Sequence, residues 1–472
     1  MKRNILIFLL TAAALLTGCS SNSTDPAPAF QDVRGVIKQR TTYDVSWDTV
    51  NPAGQKIQQQ IDTMLDHELI SAHAVQIALL NNPRIQAVYE ELGIAQAELV
   101  QAGLFKNPVF DFSIRFFEGS NDDDIVEMSL VQNFMDILLT PLRVDMEQAQ
   151  LQITKAHVTL KVFELVAQTH KAFYSYQSAA QINAMYEDIL FSTEAAYEAA
   201  QRLHDAGNIT DLELARHRQL YEQTKLNVAD SQNALLQARE TLNAKMGLWG
   251  ERAAKWTARP KLPGIPENDL PTDNIESLAI NNSLNLGVIQ KQIEAVAARM
   301  DIEVTEKMFA EFRTGISSER ESDGTWTTGP AFATGIPIFD LGQAAEARGA
   351  AKIRQLLDNY TAAAIDLRAA GRSAVYRLKN AKRQASYYKK ILVPLSEQIT
   401  LETHLQYNAM QVGLFHLLDA KRDEIQTQLR YTTSLRNYWI ARTQVELLLN
   451  GYMTEPAAQT MTPDPAQAMG GH

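Results

Sequence analysis

Two hydrophobic rhythms run along the chain. From Pro108 to Phe117 the apolar residues Phe110, Phe112, Ile114 and Phe116 fall at every second position. Asp111, Ser113 and Arg115 lie between them, so an extended strand sorts the two sets onto opposite faces. An acidic turn from Glu118 to Asp124 follows. Val126, Met128, Leu130 and Phe134 then alternate with Glu127, Ser129 and Asn133. This predicts a hairpin of two strands of about ten residues each, long enough to cross a bilayer at a tilt. A weaker second hairpin runs from Phe312 to Arg320, turns at Glu321–Thr325, and returns from Trp326 to Phe339. There Trp326, Thr328, Phe332, Ile336 and Ile338 alternate with Gly329, Ala331, Ala333 and Gly335.

Elsewhere the rhythm is helical. Ser71 can cap a helix whose face carries Ala74, Ile77, Ala78 and Leu80. Pro83 suits the first turn of the next helix, which runs to about Gly103. Leu142 to Ala206 contains neither proline nor glycine and is rich in helix formers. One unbroken helix of that length would be roughly 100 Å long. Gly207 and Asn208 stop it, and Thr210 or Asp211 caps the return helix. In that helix Leu214, Tyr221, Val228, Leu235 and Leu242 recur every seventh position, beside the smaller Thr224, Ser231 and Ala238. Such spacing predicts a left-handed coiled coil. A second long helix is expected from Gln343 to Val412, with a kink or local break at Pro394. Gly413 ends it. A second return helix follows, with Ala420, Thr427, Ser434, Ala441 and Leu448 seven apart. Asn22 to Glu68 is weakly patterned and reads as a tether.

The order of these features is internally repeated. Ala78-Leu79-Leu80-Asn81-Asn82-Pro83 is answered by Ala279-Ile280-Asn281-Asn282-Ser283, hairpin by hairpin, Asp136 by Asp340, and Gly207 by Gly413. The expected divisions are a first repeat (71–250, hairpin 108–134), a Pro-rich linker (251–273), a second repeat (274–451, hairpin 311–339) and a tail (452–472). Four strands cannot close a membrane barrel, and open strand edges are not tolerated in lipid. The chain is therefore expected to oligomerise. Three copies would supply twelve strands, enough for a passage. The fold class that follows is mainly α with a small membrane β-part. Long antiparallel coiled-coil helices form a helical barrel, four strands enter a shared 12-stranded trimeric β-barrel, and there are two internal repeats.

The N-terminus adds a location. Met1-Lys2-Arg3-Asn4 and the apolar run Ile5–Leu16 form a secretory signal over 1–18. Leu16-Thr17-Gly18-Cys19 resembles a bacterial lipobox, which makes Cys19 the lipidation site and 19–70 a lipid-anchored tether. Ser20 after the cysteine favours the outer membrane, by the sorting rule of that family. Cys19 is the only cysteine, so no disulfide within the chain is expected. Beyond the signal no apolar run reaches the length of a membrane helix. The net charge of −11 argues against nucleic acid as a partner. No Gly-rich phosphate loop, Gly-x-Ser-x-Gly elbow or His-Glu-x-x-His occurs, so neither an enzyme nor a cofactor is expected.

Taken together, the chain resembles the TolC-type outer-membrane efflux factors from Ala72 to Gly451. The residues that carry the likeness are Ala78–Pro83, Gly335-Ile336-Pro337-Ile338-Phe339-Asp340, the turns at Gly207 and Gly413, and Leu418-Asp419-Ala420. The resemblance implies a homotrimer in outer-membrane lipid, a helical tunnel in the periplasm, and docking to a periplasmic adaptor and an inner-membrane transporter. It also implies a periplasmic aperture, onto which Asp419 maps, with His416 near a second acidic position. Asp211 and Glu213 are the first-repeat counterparts. Three copies of Asp419 would converge and attract cations. Alternatively, Asp419 is a solvated acid at a helix start, and Lys421 and Arg422 stand ready to bridge the turn. Met453, Met461, Met469 and His472 are soft or borderline metal ligands, which with His416 and the lipobox suggests efflux of copper- or silver-class ions. A multidrug or type I secretion channel is the alternative. A soluble periplasmic coiled-coil adaptor or structural lipoprotein is the reading from a different class.

Overall fold

The computed structural model describes residues 24–47, 54–116, 124–308, 312–321 and 323–453. Cys19 and the tail methionines beyond Met453 lie outside the described residues.

Helices α1 (Ala27–Arg40) and α2 (Gly54–Asp66) come first. They give helical structure to part of the weakly patterned stretch from Asn22 to Glu68. Helix α1 buries Ala29, Phe30, Val33 and Ile37, and α2 buries Ile57, Ile61 and Leu65. Pro28 and Gly35 within α1, and Gly54 at the start of α2, obscure the period in the sequence. Helices α3 (Ser71–Asn81) and α4 (Pro83–Gly103) follow, with Pro83 at the first helical position. Strands β1 (Val109–Arg115) and β2 (Ile125–Asn133) form the first hairpin.

Helix α5 (Phe134–Asp205) begins ahead of Pro141, earlier than the sequence predicts, and takes Phe134 from the second strand. The Asn133 side chain accepts from the Met135 N–H, and Asp136 lies in the positive first turn. Thr140 and Arg143 both donate to the Asp136 carbonyl, which braces the turn before the proline. Helices α6 (Asp211–Met246), α7 (Glu251–Lys255), α8 (Ile275–Asn282) and α9 (Leu284–Met308) lead to β3 (Arg313–Arg320) and β4 (Trp326–Ala333). Helix α10 (Gln343–Tyr387) passes through a π-turn at Tyr388–Leu392 into α11 (Val393–Asn408), and α12 (Leu414–Leu449) returns. The break expected at Pro394 is thus a widened turn. Proline has no N–H for the carbonyl four residues back, and the Val393 N–H reaches the Tyr388 carbonyl instead.

The chain divides into two compact units. One takes in Met1–Val33, Tyr89–Val158 and Val288–Tyr360; the other takes in Arg34–Val88, Thr159–Gly287 and Thr361–His472. The first unit holds the sheet, an antiparallel meander in the order β1-β2-β3-β4. Its register sets Phe110, Leu130, Ile316 and Pro330 in one row, and Phe112, Met128, Ser318 and Thr328 in the next but one. The rows between belong to the opposite, polar face: Asp111, Ser129, Ser317 and Gly329, then Ser113, Glu127, Glu319 and Thr327. Arg115 pairs there with Glu127 at 3.0 Å. Phe110, Phe112 and Phe116 are 62%, 55% and 77% exposed, so among the described residues the aromatic row that starts in β1 stays largely uncovered. Gly315 is required for the close approach of β3 to β2, since a Cβ there would collide with the Leu130 carbonyl. Pro330 is tolerated because β4 is an edge strand. The strands are seven to nine residues long, shorter than predicted. Ile336 and Ile338 lie beyond β4, in a loop where Phe339 is 91% exposed.

The second unit packs the helical turns and a strap. Tyr43 donates to or accepts from His170 Nε2 at 3.1 Å, and Ser71 Oγ meets His170 Nδ1 at 2.6 Å. Burial lowers the His170 pKa to about 4, so the ring is neutral and its two nitrogens tie Tyr43 and Ser71 to α5. Two asparagine clasps lie in the same unit. The Asn81 side chain donates to the carbonyls of Met246 (3.1 Å) and Gly247 (2.8 Å), and Asn82 to that of Lys245. Likewise Asn282 donates to the Leu449 carbonyl at 2.8 Å, while Arg40 donates to the carbonyls of Asn282 and Asn450. Each clasp ends a return helix at a left-handed glycine, Gly247 (φ 68°) or Gly451 (φ 92°).

Candidate functional site at the helical turns

The four candidate residues sit at two helix-to-helix turns of the second unit. At the first, α5 ends on His204 and Asp205, and Gly207 takes φ 73°. Thr210 caps α6, accepting from the Glu213 N–H, while the Glu213 carboxylate accepts from the Thr210 N–H at 2.9 Å. This reciprocal box settles the choice between Thr210 and Asp211 as the cap. It also assigns Glu213 a structural task. Hydrogen bonds from Thr210 hold its carboxyl below the usual range. Asp211 reaches back across the turn to His204, Nε2 to Oδ1 at 2.7 Å.

At the second turn Met410 adopts φ 55°, and Gly413 caps α12 with no side chain to help. Asp419 pairs with Arg422 at 3.2 Å, so one of the two expected bridges forms on it. Lys421 instead pairs with the buried Glu424 at 2.6 Å. The His416 ring lies edge-on to Phe415. The two turns meet: the Arg216 guanidinium lies 5.8 Å above the Phe415 ring. Asp211 and Glu213 therefore share an end of the unit with His416 and Asp419.

Sequence reasoning missed His204, Arg216 and His217. His217 belongs to the seam. It lies seven positions before Thr224, on the row of small residues that also carries Ser231, and all three are buried. The row could have been extended one heptad back to find it. Burial lowers the His217 pKa, whereas the hydrogen bond to Asp211 raises that of His204. The signs lead to a prediction. The His204 contact stabilises the turn below the ordinary histidine value of about 6.5 and is lost as pH rises through the raised folded value. Hydrogen exchange at Gly207–Asp211, corrected for intrinsic rate, should be slower at about pH 6.5 than at about pH 8.5. His204→Gln should remove that difference, and an unchanged profile would show that the contact does not hold the turn.

No cluster of three His, Cys, Asp or Glu residues fit for a metal occurs among the described residues. Nor is any helix there long and apolar enough to cross a membrane. Asp211, Glu213 and Asp419 are thus carboxylates near helix starts, each paired with a neighbour, while His416 meets the Phe415 ring. The family model described as outer membrane efflux protein matches residues 74–248, which span α3 to the end of α6 and the first turn. Over these residues the chain is similar to the outer membrane efflux proteins. That family is one of efflux channels, not of enzymes. The cobalt-zinc-cadmium resistance protein CzcC of Cupriavidus metallidurans is 20% identical over 378 residues, covering 80% of this chain and 88% of that protein. Two solved structures share the fold. One is CusC, whose structures describe transmembrane channel formation (TM-score 0.64, 16% identity, 81% of this chain and 92% of that one). The other is the outer membrane protein VceC of Vibrio cholerae (TM-score 0.65, 12% identity, 81% and 97%).

Proposed function

We propose that this protein is the outer-membrane channel of a tripartite efflux pump, with metal ions as its cargo. One observation carries the reading: a four-stranded sheet that presents an unpartnered aromatic face and two unpaired edges. Water penalises the face and lipid penalises the edges. Both penalties disappear if three copies close a twelve-stranded barrel in the bilayer. The paired asparagine clasps support the internal duplication. In this reading the helices line a periplasmic tunnel, Cys19 carries lipid, and the channel conducts passively. A periplasmic adaptor and an inner-membrane transporter supply selection and energy.

Metal cargo is favoured by the likeness to the cobalt-zinc-cadmium resistance protein of Cupriavidus metallidurans. That name points to cobalt, zinc and cadmium ions, whereas the tail methionines point to softer copper and silver. A deletion strain should lose resistance to at least one of these five ions and regain it from the intact gene. Sensitivity confined to drugs would move the cargo to the multidrug class.

In the same reading Asp419, Asp211 and Glu213 face the aperture. Asp211 and Glu213 already hold the first turn together, so Asp419 is the better probe of the passage. Asp419→Ala also removes one of the two carboxylate partners of Arg422, leaving Asp423 at 3.4 Å. The isolated channel in a planar bilayer should then lose cation preference and conduct more freely. Unaltered conductance and ion preference would assign Asp419 to the helix end alone.

A further inference from the structure

The second unit contains a groove of about 1070 Å³ between the π-turn region and α12. Its apolar walls come from Tyr387, Ile391, Leu392 and Leu429. Its charged lining is Lys382, Arg383, Lys390 and Arg430, with no carboxylate. Lys382 is bonded to Asp269. No ion pair among the described residues holds Arg383, Lys390 or Arg430. Such a surface takes a partner with an apolar knob inside an acidic ring.

The chain itself carries that shape on α5. Phe191 is 77% exposed. Helical spacing puts Glu187, Asp188, Glu194 and Glu198 on the same face, at three, four and seven residues from it. All four are exposed. Glu198 has Arg202 at 3.9 Å, but no ion pair among the described residues holds Glu187, Asp188 or Glu194. The levels agree as well. At about 1.5 Å per residue, Phe191 lies about 25 Å from Gly207, and Arg430 about 25 Å from Gly413. Arg216 and Phe415 show that these two turns lie at one end.

We propose that the basic groove at the π-turn receives the Phe191 face of a neighbouring copy of this chain. The proposal rests on the trimer argued above and assigns residues to its helical interface. Each copy offers one face and one groove, a head-to-tail contact that closes into a ring at three. Phe191 fills the apolar floor. Glu187, Asp188 and Glu194 meet Arg383, Lys390 and Arg430, which exclude any copy presented out of level.

The full chain carrying Phe191→Cys and Ile391→Cys tests this, with native mass measured on detergent-extracted protein. Mild oxidation should link chains covalently into a trimer, and either single variant should stay unlinked. Lys390→Glu in that background should lower the linked yield several-fold, and Glu194→Lys should restore it. A trimer by native mass with no interchain link would overturn the assigned contact and leave the trimer standing. A link formed within one chain would overturn it too. A monomer by native mass would remove the trimer and the contact with it.

Discussion

Arginine in place of Phe112 should destabilise the assembled protein by about 2–4 kcal/mol, the cost of a cation facing lipid near the bilayer midplane. Phe112 pairs with Met128 in a central row of the sheet, on the face where Phe110 and Phe116 are exposed. The neighbouring Ser113 pairs with Glu127 on the other face, beside Arg115. Arginine at Ser113 would find a carboxylate and, in a closed barrel, water. Ser113→Arg should therefore cost far less. The measurement is the fraction of each variant recovered folded in the outer membrane. Equal recovery of the two would mean that the sheet has no lipid face.

Gly451→Ala should cost about 2–5 kcal/mol by a different route. Gly451 stands at φ 92°, where a Cβ adds about 1–2 kcal/mol of backbone strain. The added methyl also collides with the Asn282 carbonyl and the Arg40 guanidinium, and overpacking of this kind adds about 1–3 kcal/mol. The clasp that joins α1, α8 and α12 would have to open. At Gly264 a Cβ meets nothing within 4 Å, so Gly264→Ala serves as the control and should leave unfolding unchanged. A Gly451→Ala protein with wild-type denaturant midpoint would show that the clasp yields without loss.

Much of this architecture is legible in the sequence because the two rhythms differ so sharply. Period-two alternation places all four strands, and seven-residue spacing places the return helices. The misses have local causes. Alternation continues through Ile336 and Ile338 past the end of β4, because nothing in a hydrophobic pattern records where backbone pairing stops. Pro141 reads as a boundary, yet α5 runs through it, since Asn133 and Asp136 start the helix earlier. In α1 the four buried positions are preceded by Pro28 and interrupted by Gly35, residues that ordinarily signal a turn. The candidate acids were found as types but not as contacts. That Asp211 serves His204, and Glu213 the backbone of Thr210, depends on how a turn is closed, which spacing alone does not encode.

The widened turn at Tyr388–Leu392 has one more implication. Such a turn holds one residue more than the ordinary helical count, and one residue corresponds to a rotation of about 100°. The stretch below the proline is therefore out of phase with the stretch above it. A single amino-acid deletion within those five positions would let the turn close to an ordinary helical one, with Leu395, Ile399 and the rest of α11 keeping their present faces. Sequence comparison across this point must carry that offset, or the stripes on its two sides will be read as one.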